Sequence, residues 1–89
     1  MRTTTRNIQF TKLLKAKGRL REFNFRKSNP EGKVLFSVDV TDDRSNRILF
    51  LMIKEADVWK IQPQPLPDWI IENETSFHEL IEDELQHVS

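Results

Sequence analysis

The chain predicts an α+β fold: an antiparallel β-meander of four to five strands, consecutive in order, with one C-terminal α-helix packed on one face. Three observations carry this. Apolar and polar residues alternate through the middle of the chain, Pro63, Pro65 and Pro67 stop that pattern, and a stripe repeating every fourth residue follows them. With 89 residues, a chain of this size buries about 60 to 65% of the surface its unfolded form exposes, enough for one modest core. A single domain over 1–89 is expected.

The first seventeen residues carry two readings. Ile8, Phe10, Leu14 and Ala16 share a parity and make a strand ending in a hairpin at Gly18. A threonine cap near Thr3 to Thr5, lysines in a last turn and Gly18 as terminator describe a helix over residues 3–17 instead. Strand is the preferred reading. From Arg19 to Lys27 a second strand is expected, with Phe23 and Phe25 on one parity and Glu22, Asn24 and Arg26 on the other. Ser28 to Gly32 then turns the chain. Between Lys33 and Thr41, Val34, Phe36, Val38 and Val40 form the apolar parity against Ser37, Asp39 and Thr41, the signature of a half-buried strand. Asp42 to Asn46 has turn chemistry, because Asp and Asn side chains bond nearby backbone and tolerate positive φ. Arg47 to Lys54 resumes as strand and completes a hairpin. After the break at Glu55-Ala56-Asp57, Val58-Trp59-Lys60-Ile61 supplies one more strand.

Proline restricts its predecessor and cannot donate to a ladder, so Pro63-Gln64-Pro65-Leu66-Pro67 ends the sheet as a stiff connector. Trp69, Asn73, Phe77, Ile81 and Leu85 then recur at i+4, joined by Ile70, Leu80 and Val88, which draws one stripe down a helix from about Pro67 to Gln86. A second start at Ser76, with Glu79 in capping-box spacing, would split the segment into two helices. Asp68 and Glu72 suit the N-terminal dipole of a continuous helix. Glu82, Asp83 and Glu84 oppose its C-terminal end and call for basic neighbours. Phe77 is expected in the core and Glu74 on a solvated flank.

Charge is segregated along the chain. Residues 1–33 hold ten basic and two acidic side chains, a net of +8, and residues 34–89 hold four basic and twelve acidic, a net of −8. A formal net charge of zero therefore conceals a dipolar molecule, which points to internal pairing or to a charged partner. The chain has no cysteine, which removes disulfides and thiolate metal sites and fits a reducing cytoplasm. No apolar stretch of signal-peptide length opens it, and the longest apolar run, Ile48 to Ile53, is too short to span a bilayer. A cytoplasmic chain with no membrane partner is expected.

No constellation points to catalysis, a cofactor or a metal. Without cysteine, and with no serine in a GxSxG elbow, nucleophilic chemistry lacks its parts, and Gly18 and Gly32 are too isolated for a phosphate cradle. His78 has Glu74 and Glu82 at i−4 and i+4, yet structural zinc needs four ligands, so a solvated helix face is the better reading. Asp39, Thr41, Asp43 and Ser45 alternate oxygens as a calcium loop does, but the tight-turn glycine is missing and Phe50 stands where the bidentate glutamate belongs. Asn73-Glu74-Thr75 matches a glycosylation triplet by coincidence.

Two surfaces remain. Strand Arg47 to Lys54 is apolar on both parities while one helix covers only one face, which leaves Leu35, Leu49, Leu51 and Ile53 as candidate partner-binding residues. The other covers for that face would be strong curvature of the sheet itself, or the segment before Gly18 folded over it. In the basic third, Arg19, Arg21, Phe23, Phe25 and Lys27 interleave cations with rings, although burial of both rings is the stronger reading. Lys12, Lys15, Lys17, Arg19, Arg21 and Arg26 are the candidate nucleic-acid contacts, most of them expected to rim the Gly18 hairpin. A sheet followed by a helix, with a basic face, resembles the PUR-type nucleic-acid-binding repeat in arrangement alone, and no residue role is carried over from it. The expected function is a non-catalytic protein-interaction module that engages a protein partner or a second copy of itself as a homodimer, with nucleic-acid binding as the alternative.

Overall fold

A computed structural model describes residues 8–87. Five strands form one antiparallel sheet in sequential order: β1 Gln9–Ala16, β2 Arg19–Ser28, β3 Leu35–Thr41, β4 Arg47–Glu55 and β5 Val58–Ile61. Two helices follow, α1 Asp68–Ile71 and α2 Glu74–Gln86. The α+β meander is as the alternation predicts. Residues 3–7 of the ambiguous N-terminal stretch lie outside the described residues, and Gln9–Ala16 of its remainder is strand.

Turn chemistry sets each register. Lys17 and Gly18 take φ of 53° and 77°, and Ala16 pairs with Arg19 across them, the two-residue turn whose handedness matches sheet twist. Ala56 and Asp57, at φ 51° and 69°, make the same turn between β4 and β5. In the β3–β4 connection, Asp42 Oδ1 accepts the N–H groups of Arg44 at 2.9 Å and Asn46 at 2.8 Å, so its carboxylate organises a hairpin loop.

Parity then assigns the faces. Phe23, Phe25, Phe36, Val38, Val40, Phe50, Met52 and Trp59 are buried on the helix side of the sheet. Phe77 of α2 enters this layer with ring centroids 5.1 Å from Phe23 and 5.4 Å from Phe50, while Ile70 and Ile81 fill the flanks. Val34, expected inward, precedes β3 and is 42% exposed. The turn at Pro30–Gly32 delays the strand by a residue, so the inward parity begins at Phe36.

The continuous helix is broken at Asn73, three residues before the alternative start at Ser76. Asn73 Nδ2 donates to Trp69 O at 2.7 Å and its φ, ψ of −102° and 15° leave the helical region. A short amide side chain that bonds its own backbone competes with the helix ladder.

The acidic flank of α2 is half-buried against β5. Glu74 Oε2 accepts the Ile61 N–H at 2.8 Å, His78 Nδ1 accepts the Trp59 N–H at 3.0 Å, and Glu82 Oε2 accepts Trp59 Nε1–H at 2.8 Å. These three side chains at i, i+4 and i+8 close the outer edge of β5, whose N–H groups would otherwise face water or another chain. Because Nδ1 accepts, the His78 proton is on Nε2. Lys54 Nζ lies 3.4 Å from Glu82 and supplies the basic neighbour that the end of the helix calls for. It comes from β4, and no lysine of the basic N-terminal third pairs with Glu82, Asp83 or Glu84 among the described residues. No helix among those residues is long and apolar enough to cross a membrane.

Burial of Phe77 predicts that Phe77→Ala costs about 3 to 5 kcal/mol in urea melts, while Glu79→Ala on the exposed flank stays within about 0.5. Equal small losses would contradict this helix orientation. Glu74, expected on a solvated flank, instead accepts the Ile61 N–H.

Candidate interaction surface

The sheet face turned away from the helices divides into a polar half and an apolar column. In the polar half, Thr11, Asn24 and Asp39 are cross-strand neighbours on β1, β2 and β3. Thr11 Oγ1 donates to Asn24 Oδ1 at 2.7 Å, and Asn24 Nδ2 donates to Asp39 Oδ1 at 2.9 Å. Arg47 of β4 completes the row, reaching Asp39 Oδ2 at 3.0 Å. Partial burial disfavours the Asp39 carboxylate, but hydrogen bonds from Asn24 and Arg47 and the charges of Arg47 and Arg26 outweigh it, holding its pKa below the ordinary 3.8.

The apolar column runs along β4. Leu49, Leu51 and Ile53 point outward at successive odd positions, and Leu35 of β3 is the direct cross-strand partner of Ile53. Leu49 is 51% exposed, and Leu35, Leu51 and Ile53 are half-buried. All four predicted partner-binding residues are therefore brought onto one face. A shallow groove of about 420 Å³ at the column's end is lined by Lys33, Val34, Leu35, Ile53 and Lys54. The connector after β5 runs beside β4: Gln62 N–H donates to Leu51 O at 2.8 Å and Gln64 Nε2 to Leu49 O at 3.2 Å. Among the described residues, the segment before Gly18 does not cover this face, because Gln9–Ala16 lengthens the sheet as β1.

The basic residues are dispersed. Lys15, Lys17 and Arg19 are exposed at the β1–β2 turn, with Arg19 NH1 3.0 Å from Asp43 Oδ1. Lys12 is half-buried on the helix-side parity, opposite Phe23. Arg26 is exposed on the outer face but lies seven residues along β2 from Arg19, about 23 Å at strand rise. It does not rim the Gly18 hairpin as expected. Arg21 turns inward and is 6% exposed. Its Nε donates to Ala16 O at 2.9 Å, its NH1 to Asp43 Oδ1 at 3.0 Å, and its guanidinium lies 4.4 Å from the Trp69 ring centroid. This side chain joins the end of β1, the β3–β4 loop and α1, and is withdrawn from any surface contact. Phe23 and Phe25 are core, as their stronger reading holds.

Sequence reasoning missed a second apolar spot. Leu13 and Leu20, each 64% exposed, share the outer face beside the β1–β2 turn. Their parity marked them as outward, but isolated leucines on mainly polar parities gave no further signal. Among the described residues, no group of His, Cys, Asp or Glu is placed to hold a metal ion. Set against known protein families, curated proteins and solved structures, the chain matches none.

The depressed Asp39 pKa has a direct consequence for acid stability. A carboxyl lowered by folding contributes fully above its ordinary value, and the contribution is lost as pH falls through the folded one. Urea midpoints measured at pH 6 and at pH 3 are expected to differ less in Asp39→Asn than in the wild type. An unchanged difference would place the Asp39 carboxylate outside the network.

Proposed function

We propose that this chain is a non-catalytic interaction module that engages protein through the outer apolar column of Leu35, Leu49, Leu51 and Ile53. One observation supports the reading above the others: the helices occupy the opposite face, so a β4 strand apolar on both parities leaves its second set of side chains without a covering layer among the described residues. Aliphatic side chains on the outer strand surface, bordered by the Asp39–Arg47 network, give the apolar centre and polar rim common to protein interfaces. A second copy of the chain is the first partner to test, because an isologous contact needs only the self-complementary patch.

Nucleic-acid binding is the second reading, and Lys15, Lys17 and Arg19 at the tip of the β1–β2 hairpin favour it. It lacks stacking rings, since Phe23 and Phe25 lie beneath the helix. Its signature is an oligonucleotide affinity that falls steeply with salt and falls again in Lys15→Glu.

Light scattering across a concentration series is expected to show a mass rising from monomer toward dimer. Leu51→Lys is expected to return the monomer with its fold intact. A monomer at hundreds of micromolar would end the self-pairing form of the proposal. Unfolding of Leu51→Lys would assign Leu51 to the monomer core.

A further inference from the structure

The two edges of the sheet are treated differently. On the β5 side, the Ile61 and Trp59 N–H groups are taken by Glu74 and His78, and the Leu51 and Leu49 carbonyls of β4 by Gln62 and Gln64. On the β1 side no such cover exists among the described residues. The Lys27 N–H donates to Ile8 O at 2.9 Å, one step before the Gln9↔Arg26 pair. Antiparallel pairs alternate, so Phe10, Lys12, Leu14 and Ala16 aim their backbone groups at β2, whereas Gln9, Thr11, Leu13 and Lys15 aim theirs away from the sheet. Their outward N–H and C=O groups have no partner among the described residues.

We propose that β1 is a docking edge for an extended acidic segment of a partner protein, which adds to the sheet as a sixth strand. Charge complementarity selects this occupant. Strand β1 carries Lys12 and Lys15 and no acidic residue, and Lys17 follows in the turn. Two copies of β1 paired with each other would place four lysines in one ladder, which is how native edges resist self-pairing. An acidic strand removes that conflict.

The side chains also set a pattern. Lys12 projects on the helix side, between half-buried Phe10 and Leu14, while Lys15 projects on the outer side beside exposed Leu13. The incoming strand needs acids opposite Lys12 and Lys15, three residues apart and on alternate faces. Apolar residues opposite Leu13 and Leu14 fill the two places between them. The segment recognised is acidic–apolar–apolar–acidic in extended form. A polypeptide answers both the outward N–H and the outward C=O groups, whereas a phosphate backbone offers acceptors alone. This edge is separate from the outer column of the proposed function, and the proposal stands without it.

The test uses the full chain and a capped octapeptide of threonine and valine around a central Glu-Ile-Val-Glu. Saturating peptide is expected to slow amide exchange at least tenfold at Thr11, Leu13 and Lys15, and to leave Phe10, Lys12 and Leu14 unchanged. Peptide affinity is expected to fall at least tenfold in the Lys12→Glu/Lys15→Glu double variant. The same loss is expected when the peptide glutamates become lysines. Methylating alternate peptide nitrogens abolishes binding in one of the two possible sets and spares it in the other, a readout that needs no altered protein. Equal binding of the lysine peptide, or of both methylated sets, would overturn the proposal. So would exchange changes confined to Leu49, Leu51 and Ile53, or displacement of the peptide by a single-stranded oligonucleotide that binds more tightly. Slowed exchange at the same amides on concentrating the protein without peptide would identify a second copy as the occupant and overturn it also.

Discussion

One helix of thirteen residues has to roof the core and close an edge of the sheet at once, and a match of two repeats lets it do both. Four residues of α-helix rise about 6.0 Å, and two residues of strand advance about 6.7 Å. Glu74 and His78 therefore fall opposite Ile61 and Trp59 on an antiparallel course, each side chain meeting one outward N–H. Phe77 and Ile81 lie one residue back along the helix from His78 and Glu82, about 100° around its axis, and this rotation drives them into the aromatic layer. The same registration that seats Phe77 among Phe23, Phe25 and Phe50 thus brings the polar ridge against β5.

That double use of α2 decides which surfaces stay open. With the helices on one face and the β5 edge answered by side chains, the outer face and the β1 edge are left for partners among the described residues. The two surfaces differ in chemistry. The outer column offers apolar cover to whatever shields Leu49, and the edge offers backbone groups flanked by lysine. The segregated charge is used in part internally, since Asp43 of the acidic portion binds Arg19 and Arg21 of the basic one. The carboxylates of α2 and the lysines of β1 belong to opposite borders of a sheet ordered β1 to β5.

Much of the fold was legible because its signals are local. Period-two alternation located β2 to β5 within a residue or two, and the i+4 stripe marked Phe77 and Ile81 as core. The apolar outer residues of β4 were legible too, as a strand with no polar parity. The edge closure was not. Periodicity shows that Glu74, His78 and Glu82 share a helix face, but a solvated flank, a metal cluster and an edge cap produce the same spacing, and only the position of β5 separates them. Asn73 stood on the apolar stripe, where spacing alone could not reveal that its amide would break the helix. Arg21 shares the parity of Phe23 and Phe25, and the burial of those rings turns it inward with them. Its partners Ala16, Asp43 and Trp69 come from three separate segments, so no spacing in the sequence announces them.

Side chains of α2 replace a sixth strand at the β5 edge, and amide hydrogen exchange at Trp59 and Ile61 reads this out. In the wild type both amides are expected to be protected well above an open edge strand. His78→Ala is expected to release Trp59 while sparing Ile61, and Glu74→Ala the reverse, each leaving a partly buried N–H unpaired at about 1 to 3 kcal/mol. Fast exchange of both amides in the wild type, or protection that survives both substitutions, would contradict the account.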